Sequence, residues 1–200
     1  YYYRGLLYQN NLNDNENAES DYLNALKLDP KYSDPYIQLG IIYQGEEEYP
    51  KALEYFKKAI EIDPENINNY FPLISFYIVS EDYNQAVIEA KKTIDSDRDD
   101  PDGHYKLAII YNLQENNLKT ILALSKSIDK KISFPRYYVL DLDGATRIEL
   151  VDMYLLRAEI YLKMNEKEMT CEDYNMALDL IEDNLDLKNK VDTLISENCN

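Results

Sequence analysis

The sequence predicts an all-α fold: an α-solenoid of helix-turn-helix repeats, ended by a capping helix and interrupted once by a short β-hairpin. Three observations predict it. A residue pattern recurs every 34 positions, carried by Tyr36, Tyr70 and His104. Apolar side chains within each copy fall at i, i+3, i+4 and i+7, one face of a helix. Glycine and proline are scarce, 5 and 7 of 200 residues, which disfavours a turn-rich β fold.

The copies follow in order. The first begins Tyr2-Tyr3-Arg4-Gly5-Leu6-Leu7-Tyr8 and continues through Ala18, Tyr22, Ala25 and Pro30, with a turn one residue longer than in the others. In the second, Tyr36, Leu39, Gly40 and Tyr43 make the stripe of one helix, and Ala52, Leu53, Phe56, Ala59 and Ile60 that of the next. Asp29-Pro30 and Asp63-Pro64 close units, because proline cannot continue a helix and pushes the residue before it out of the α region. The third copy carries Ile74 at the place of Gly40, Ala90 at that of Phe56 and Thr93 at that of Ala59. The fourth has His104, Thr120 and Ser127 at the corresponding places. The fifth runs from Tyr154 to Tyr161 and on through Thr170, Tyr174 and Ala177, displaced by an insertion. The expected units are 1–32, 33–66, 67–100, 101–132 and 151–182, with the insert at 133–150. Residues 183–200 form the capping helix and tail, with Leu185, Leu187, Val191, Leu194 and Ile195 as its apolar stripe.

The insert reads differently from the repeats. Residues 137–142 are β-prone, Asp143-Gly144 suits a two-residue turn, and 145–150 supply a second run. Val139, Leu140, Ile148 and Leu150 give it strand character, so a hairpin centred on Asp143-Gly144 is expected. Two roles are open for it: a contribution to a binding face, or a bridge across a longer gap between units.

The 34-residue period with this signature resembles the tetratricopeptide repeat family. The second copy matches nearly in full through Tyr36, Leu39, Gly40, Tyr43, Ala52, Phe56, Ala59 and Pro64, with tyrosine where the family often has tryptophan. The resemblance implies a right-handed solenoid and a non-enzymatic scaffold for protein–protein interaction. It also implies that partners lie in a concave groove lined by the first helix of each unit. The lining residues it implies are Ile37, Ile41 and Gln44, then Phe71, Ser75 and Ile78, then Tyr105, Ile109 and Asn112. In the first unit they are Tyr3, Leu7 and Asn10 or their neighbours. Family members that clamp a terminal carboxylate do so with Lys, Arg and Asn on this face. None of the nine positions is Lys or Arg, so a carboxylate clamp is not expected.

Composition narrows the partner. Lys+Arg is 21 against 38 Asp+Glu, a net charge of −17. Such a chain repels nucleic-acid phosphates and anionic membrane surfaces. With 45% apolar residues it is too hydrophobic for disorder, yet no stretch is long and apolar enough for membrane insertion. The expected partner is a protein or peptide segment with apolar anchors and flanking basic residues. The chain itself is expected to be a monomer or weak homo-oligomer. A second reading makes it a self-assembling or docking module of a larger protein, and a third an enzyme.

No cofactor or metal is expected. The acidic run 95–100 has Asp100 where a calcium loop needs glycine and Lys106 where it needs glutamate. Asp141-Leu142-Asp143-Gly144 has the glycine but begins from Val139 and ends at Leu150. The single histidine, His104, occupies an aromatic signature place, where packing explains it better than catalysis. Cys171 and Cys199 leave two readings open: two unpaired thiols, or a disulfide between the antiparallel second helix of the fifth unit and the cap. The sequence opens at Tyr1 without a visible signal segment, so cytoplasmic and exported locations both stay open.

Overall fold

The computed structural model describes residues 1–97, 101–133, 145–181 and 184–199, and all regular structure among them is helical. The chain divides into two compact units, Tyr1–Arg98 and Asp99–Asn200. The first holds α1 (Tyr2–Leu12), α2 (Asn15–Leu28), α3 (Ser33–Gly45), α4 (Tyr49–Ile62), a 3₁₀ turn (Ile67–Asn69), α5 (Tyr70–Val79) and α6 (Tyr83–Ser96). The second holds α7 (Pro101–Leu113), α8 (Asn117–Ser133), α9 (Ala145–Lys163), α10 (Lys167–Leu180) and α11 (Leu185–Asn198). Helices pack as consecutive pairs, α1 with α2, α3 with α4, α5 with α6, α7 with α8 and α9 with α10, and α11 lies on α10.

One turn design closes all five pairs. Its central residue is left-handed: Asn13, Glu47, Glu81, Glu115 and Asn165 have φ of 52°, 62°, 58°, 55° and 61°. None is glycine, so each non-glycine side chain there carries a backbone cost on the order of 1 kcal/mol, less for the two asparagines. The turn repays this by satisfying carbonyls at the helix end. The N–H groups of Glu48, Asp82, Asn116 and Glu166 donate to the carbonyls of Tyr43, Tyr77, Tyr111 and Tyr161, five residues back, at 2.8–2.9 Å. In the first pair the Asp14 N–H reaches six residues back, to Tyr8, at 2.9 Å. The extra turn residue expected in the first copy is therefore present. Several second helices then start on a side-chain cap: Asp14, Asp82 and Asn116 accept from the N–H of Asn17, Gln85 and Lys119.

Each pair is held by a small residue facing a large one. A Cβ on Gly40 would sit 2.4 Å from the Phe56 ring, and one on Gly5 2.6 Å from the Tyr22 ring. The repeat register sets Ile74 opposite Ala90, Ala108 opposite Leu124 and Ala158 opposite Tyr174, all at 0–1% exposure. The two mismatches of the third copy are thus one exchange, the bulk having moved from the second helix to the first. Volume is conserved across the pair, which is what a close-packed core demands. Gly40→Ile is expected to cost about 2–3 kcal/mol by overpacking. Gly40→Ile with Phe56→Ala, which copies the third unit, should recover at least half of that loss. Urea denaturation midpoints of the two variants check it.

Polar groups at core places find partners. Ser127 Oγ donates to the Pro101 carbonyl at 2.9 Å, and Thr93, Thr120 and Thr170 donate to carbonyls of their own helices or caps. Tyrosine in place of tryptophan at the head of a unit has a consequence: Tyr36 and Tyr70 Oη donate to the carbonyls of Pro30 and Pro64, at 3.2 and 3.1 Å. Buried Asn69 gives its amide to the carbonyls of Ala59 and Asp63, tying the end of α4 to α5. His104 is buried, and burial, with Lys126 and Lys130 adding to it, holds its imidazole below the usual pKa. It is a packed, neutral side chain at neutral pH, in keeping with its aromatic signature place.

Two units carry an ion pair where the others carry leucine. Leu39, Leu73 and Leu107 occupy one register position of the first helix, and Arg4 and Arg157 occupy it in the first and fifth copies. Arg4 Nε and Nη2 donate to Asp21 at 2.6 and 2.7 Å. Arg157 Nε and Nη2 donate to Asp173 at 2.8 and 2.7 Å. The bond from Arg4 holds the Asp21 carboxyl below the usual carboxylate range.

The expected hairpin is not supported, since no strand occurs among the described residues. Residues 145–150 are the first turns of α9 rather than a second strand, and α8 runs on to Ser133. Residues 137–144, with Val139, Leu140 and the Asp143-Gly144 turn, lie outside the described residues. The physical reason is visible in Ala145, Arg147, Glu149 and Leu150: these are strong helix formers continuous in sequence with the rest of α9, so propagating that helix is favoured over starting a strand.

At the other end, Cys171 of α10 and Cys199, the residue that follows α11, form a disulfide with Cα atoms 5.7 Å apart. Asn184 caps α11 by accepting from the Leu187 N–H at 3.0 Å. Of the expected apolar stripe, Val191 is fully buried, Leu187, Leu194 and Ile195 are half-buried, and Leu185 is exposed.

Candidate interaction surface

The residues expected to line a groove fall on the first helix of three successive pairs: Ile37, Ile41 and Gln44 on α3, Phe71, Ser75 and Ile78 on α5, Tyr105, Ile109 and Asn112 on α7. The first six belong to the first unit and the last three to the second. They differ in how much they can offer. Ile37 is only 9% exposed and serves mainly the fold, whereas Ile41 is 40% exposed. Gln44, Phe71 and Ile78 are half-buried and Ser75 is exposed. Tyr105, Ile109 and Asn112 are half-buried on α7.

For the first copy the turn geometry decides the register. Tyr8 takes the place of Tyr43 and Gly5 that of Gly40, so the equivalents of Ile37, Ile41 and Gln44 are Tyr2, Leu6 and Gln9. The neighbours, not Tyr3, Leu7 and Asn10, share the face. Tyr3 and Leu7 are 78% and 57% exposed elsewhere on α1.

The face has an acidic, aromatic end that the sequence reading missed. Asp34 lies one helical turn before Ile37, on the same stripe of α3. The Tyr2 ring sits 5.0 Å from that of Tyr32 and 5.4 Å from that of Tyr3. Burial and then the Asp34 charge raise the Tyr2 and Tyr32 hydroxyls above their usual pKa, and Tyr32 also hydrogen-bonds Asp34. Both phenols are therefore neutral at pH 7, and the local charge is that of the carboxylate. The signal that could have found them was there: Asp34 is spaced three residues before Ile37. By register, Leu6, Ile41, Phe71 and Ile78 belong to the same face of α1, α3 and α5, which thus carries apolar side chains, the amides of Gln9 and Gln44, and the carboxylate of Asp34. Among the described residues, no group of three His, Cys, Asp or Glu side chains is placed to hold a metal ion, and no helix is long and apolar enough to cross a membrane.

Models of the tetratricopeptide repeat match residues 33–66, and also 1–32 and 151–184, together half of the 200 residues. The chain belongs to the tetratricopeptide repeat family. Its all-helical architecture is that of the family's solenoids. Among solved structures, MamA matches with a TM-score of 0.65 at 21% identity, over 86% of this chain and 91% of that one. TTC0263, a thermophilic tetratricopeptide repeat protein from Thermus thermophilus, matches with 0.63 at 18% identity, over 96% and 95%. PilF of Pseudomonas aeruginosa matches with 0.69 at 19% identity, over 91% and 75%. At such identities the likeness speaks for the fold alone. No curated protein matches the chain. Membership of the family makes this a protein–protein interaction scaffold in general class, and the family is generally non-catalytic.

Proposed function

We propose that this tetratricopeptide repeat chain binds a peptide or helix segment on the face formed by the first helices of its units, without a carboxylate clamp. The observation that carries the reading is the stripe shared by α1, α3 and α5. Its register positions carry half-buried Leu6, Phe71 and Ile78, exposed Ile41 and, at one end, Asp34, and none of them is Lys or Arg. Apolar side chains that remain partly exposed and contiguous are the usual mark of a docking surface. An anionic corner flanked by tyrosines favours a segment with a Lys or Arg beside its apolar anchors, since a cation gains from both carboxylate and ring faces. The −17 net charge steers such a segment toward the chain.

Selection of random 16-residue peptides against the full chain tests the reading. Enriched sequences should carry two apolar anchors and a neighbouring Lys or Arg, and amidation of the peptide C-terminus should not matter. Burying one apolar anchor contributes on the order of 1.5–3 kcal/mol, so Phe71→Ala or Ile41→Asp should weaken the selected peptides about tenfold or more. Tyr105→Ala measures the share of the second unit. Normal binding by all three variants, with loss on a change such as Lys57→Ala, would place the partner on the opposite side of the helix pairs.

A further inference from the structure

Tyrosine stands at the place of Phe56 in two copies, as Tyr22 in the first and Tyr174 in the fifth, and both side chains are buried. Each ring fills the place of phenylalanine but adds a hydroxyl that burial obliges to find a partner. Tyr22 Oη donates to Gln9 Oε1 at 2.6 Å. Gln9 belongs to the first-helix face, so a side chain at that register position reaches the hydroxyl from that face. In the fifth copy the place of Gln9 is taken by Leu162, which has no acceptor. Among the described residues, Tyr174 Oη is the buried side-chain polar atom without a hydrogen-bond partner. A donor buried in this way loses its hydration without return. Glu159 stands one helical turn before Leu162 on the same stripe of α9, where the first two copies have Leu6 and Ile41. It is exposed, and its charge adds to burial in raising the Tyr174 hydroxyl above its usual pKa.

We propose, on the reading that a partner segment lies along the first-helix face, that Glu159 and Tyr174 Oη form a subsite for one carboxamide of that segment, the side chain of a glutamine. Its oxygen accepts from Tyr174 Oη, as Gln9 Oε1 accepts from Tyr22 Oη. Its NH₂ group donates to the Glu159 carboxylate. The amide is the group that answers both residues. An ammonium has donors only and leaves the Tyr174 hydrogen without an acceptor. A carboxylate on the ligand accepts from the phenol but is repelled by Glu159. A neutral amide also enters a buried place at a smaller desolvation cost than either ion. Leu162 is 41% exposed and turns aside on binding, a rotamer change of the ordinary kind at interfaces. The hydroxyl is held by a buried ring in α10, so it is presented to the ligand without further ordering.

The probe is propionamide, which has the atoms of a glutamine side chain, titrated into the full chain carrying ring-labelled tyrosine. The readout is the nuclear magnetic resonance shift of Tyr174, its signal assigned by its loss in Tyr174→Phe. A saturable shift is expected. Glu159→Ala should weaken it about fivefold or more, and Leu162→Gln should abolish it by supplying the carboxamide from within the chain. Urea midpoints verify the fold of each variant: Tyr174→Phe should unfold no earlier than the parent, and Leu162→Gln later. Absence of a shift at ~0.5 M propionamide overturns the proposal. So does a shift that Leu162→Gln leaves intact, or an equal response to butylammonium chloride, which would assign the subsite to a lysine. Marked destabilisation by Tyr174→Phe overturns it too, since the hydroxyl would then have a structural partner. The selected 16-residue peptides separate this subsite from the groove reading. Peptides weakened by Phe71→Ala but indifferent to Tyr174→Phe, with no glutamine enriched, sink the subsite and keep the groove. A propionamide response in a chain whose peptides ignore both Phe71→Ala and Ile41→Asp sinks the groove reading and leaves the carboxamide site standing.

Discussion

Asp173→Ala is expected to lower the stability of the second unit by about 3–5 kcal/mol, the cost typical of removing one partner from a buried ion pair. Asp173 and Arg157 side chains are 3% and 14% exposed. Burial alone would depress the Arg157 pKa, but the bonds and charge of Asp173 outweigh it and leave the guanidinium more basic than usual. Removing the carboxylate leaves a charge that cannot deprotonate and is cut off from water. Urea unfolding followed by circular dichroism should show the loss. The double variant Arg157→Leu with Asp173→Ala, which copies Leu107 and Ala123 of the fourth unit, should return to within about 1 kcal/mol of the parent. The equivalent Asp21→Ala should cost markedly less, because Arg4 keeps its side chain 59% in water. That cost should also depend on pH. The folded-state pKa of Asp21 is depressed, so its contribution is complete above the ordinary carboxylate range near 3.9 and is lost as pH falls through the lower folded value.

Much of the fold was legible because repetition multiplies a weak local signal. One helical stripe is ambiguous, but five in the same register are not, and the longer first turn was readable from the spacing of Gly5, Ala18 and Tyr22. What escaped depends on pairs of residues rather than single places. Arg157 and Asp173 each look like a departure from the repeat, and only together do they replace a leucine contact. Ile74 and Ala90 likewise weaken the signature singly and conserve volume as a pair. The hairpin expectation failed for a different reason. It weighed β propensity and a turn dipeptide locally, while the helix formers of α9 already ran back from Leu150 to Ala145. On the interaction face, Ile37 was assigned by register alone, and register does not say that neighbouring helices leave only 9% of it uncovered. Asp34 was passed over because the signature begins two residues later, at Tyr36.

Removing the disulfide should have the second large effect, concentrated on α11. Among the described residues α10 is the helix it packs on, and Val191 is its one fully buried apolar side chain. Its capping asparagine secures the start, while the far end is secured by the bond from Cys199 back to Cys171. The bond closes a loop with a sequence separation of 28, for which the loss of unfolded-chain entropy corresponds to about 3–4 kcal/mol. The Cys171→Ala, Cys199→Ala double variant should therefore unfold at lower urea, and reductant should shift the parent but not the variant. Hydrogen exchange separates the two contributions. Amides of α11 should lose protection first, because burial of one valine contributes roughly 1.5–3 kcal/mol and cannot by itself offset the ordering of fourteen residues. Amides of α9 and the first half of α10 should follow only at the global transition. Titration of the denatured, unreduced chain provides the direct control: no free thiol is expected, and two per chain would mean that α11 is held by its apolar contacts and cap alone.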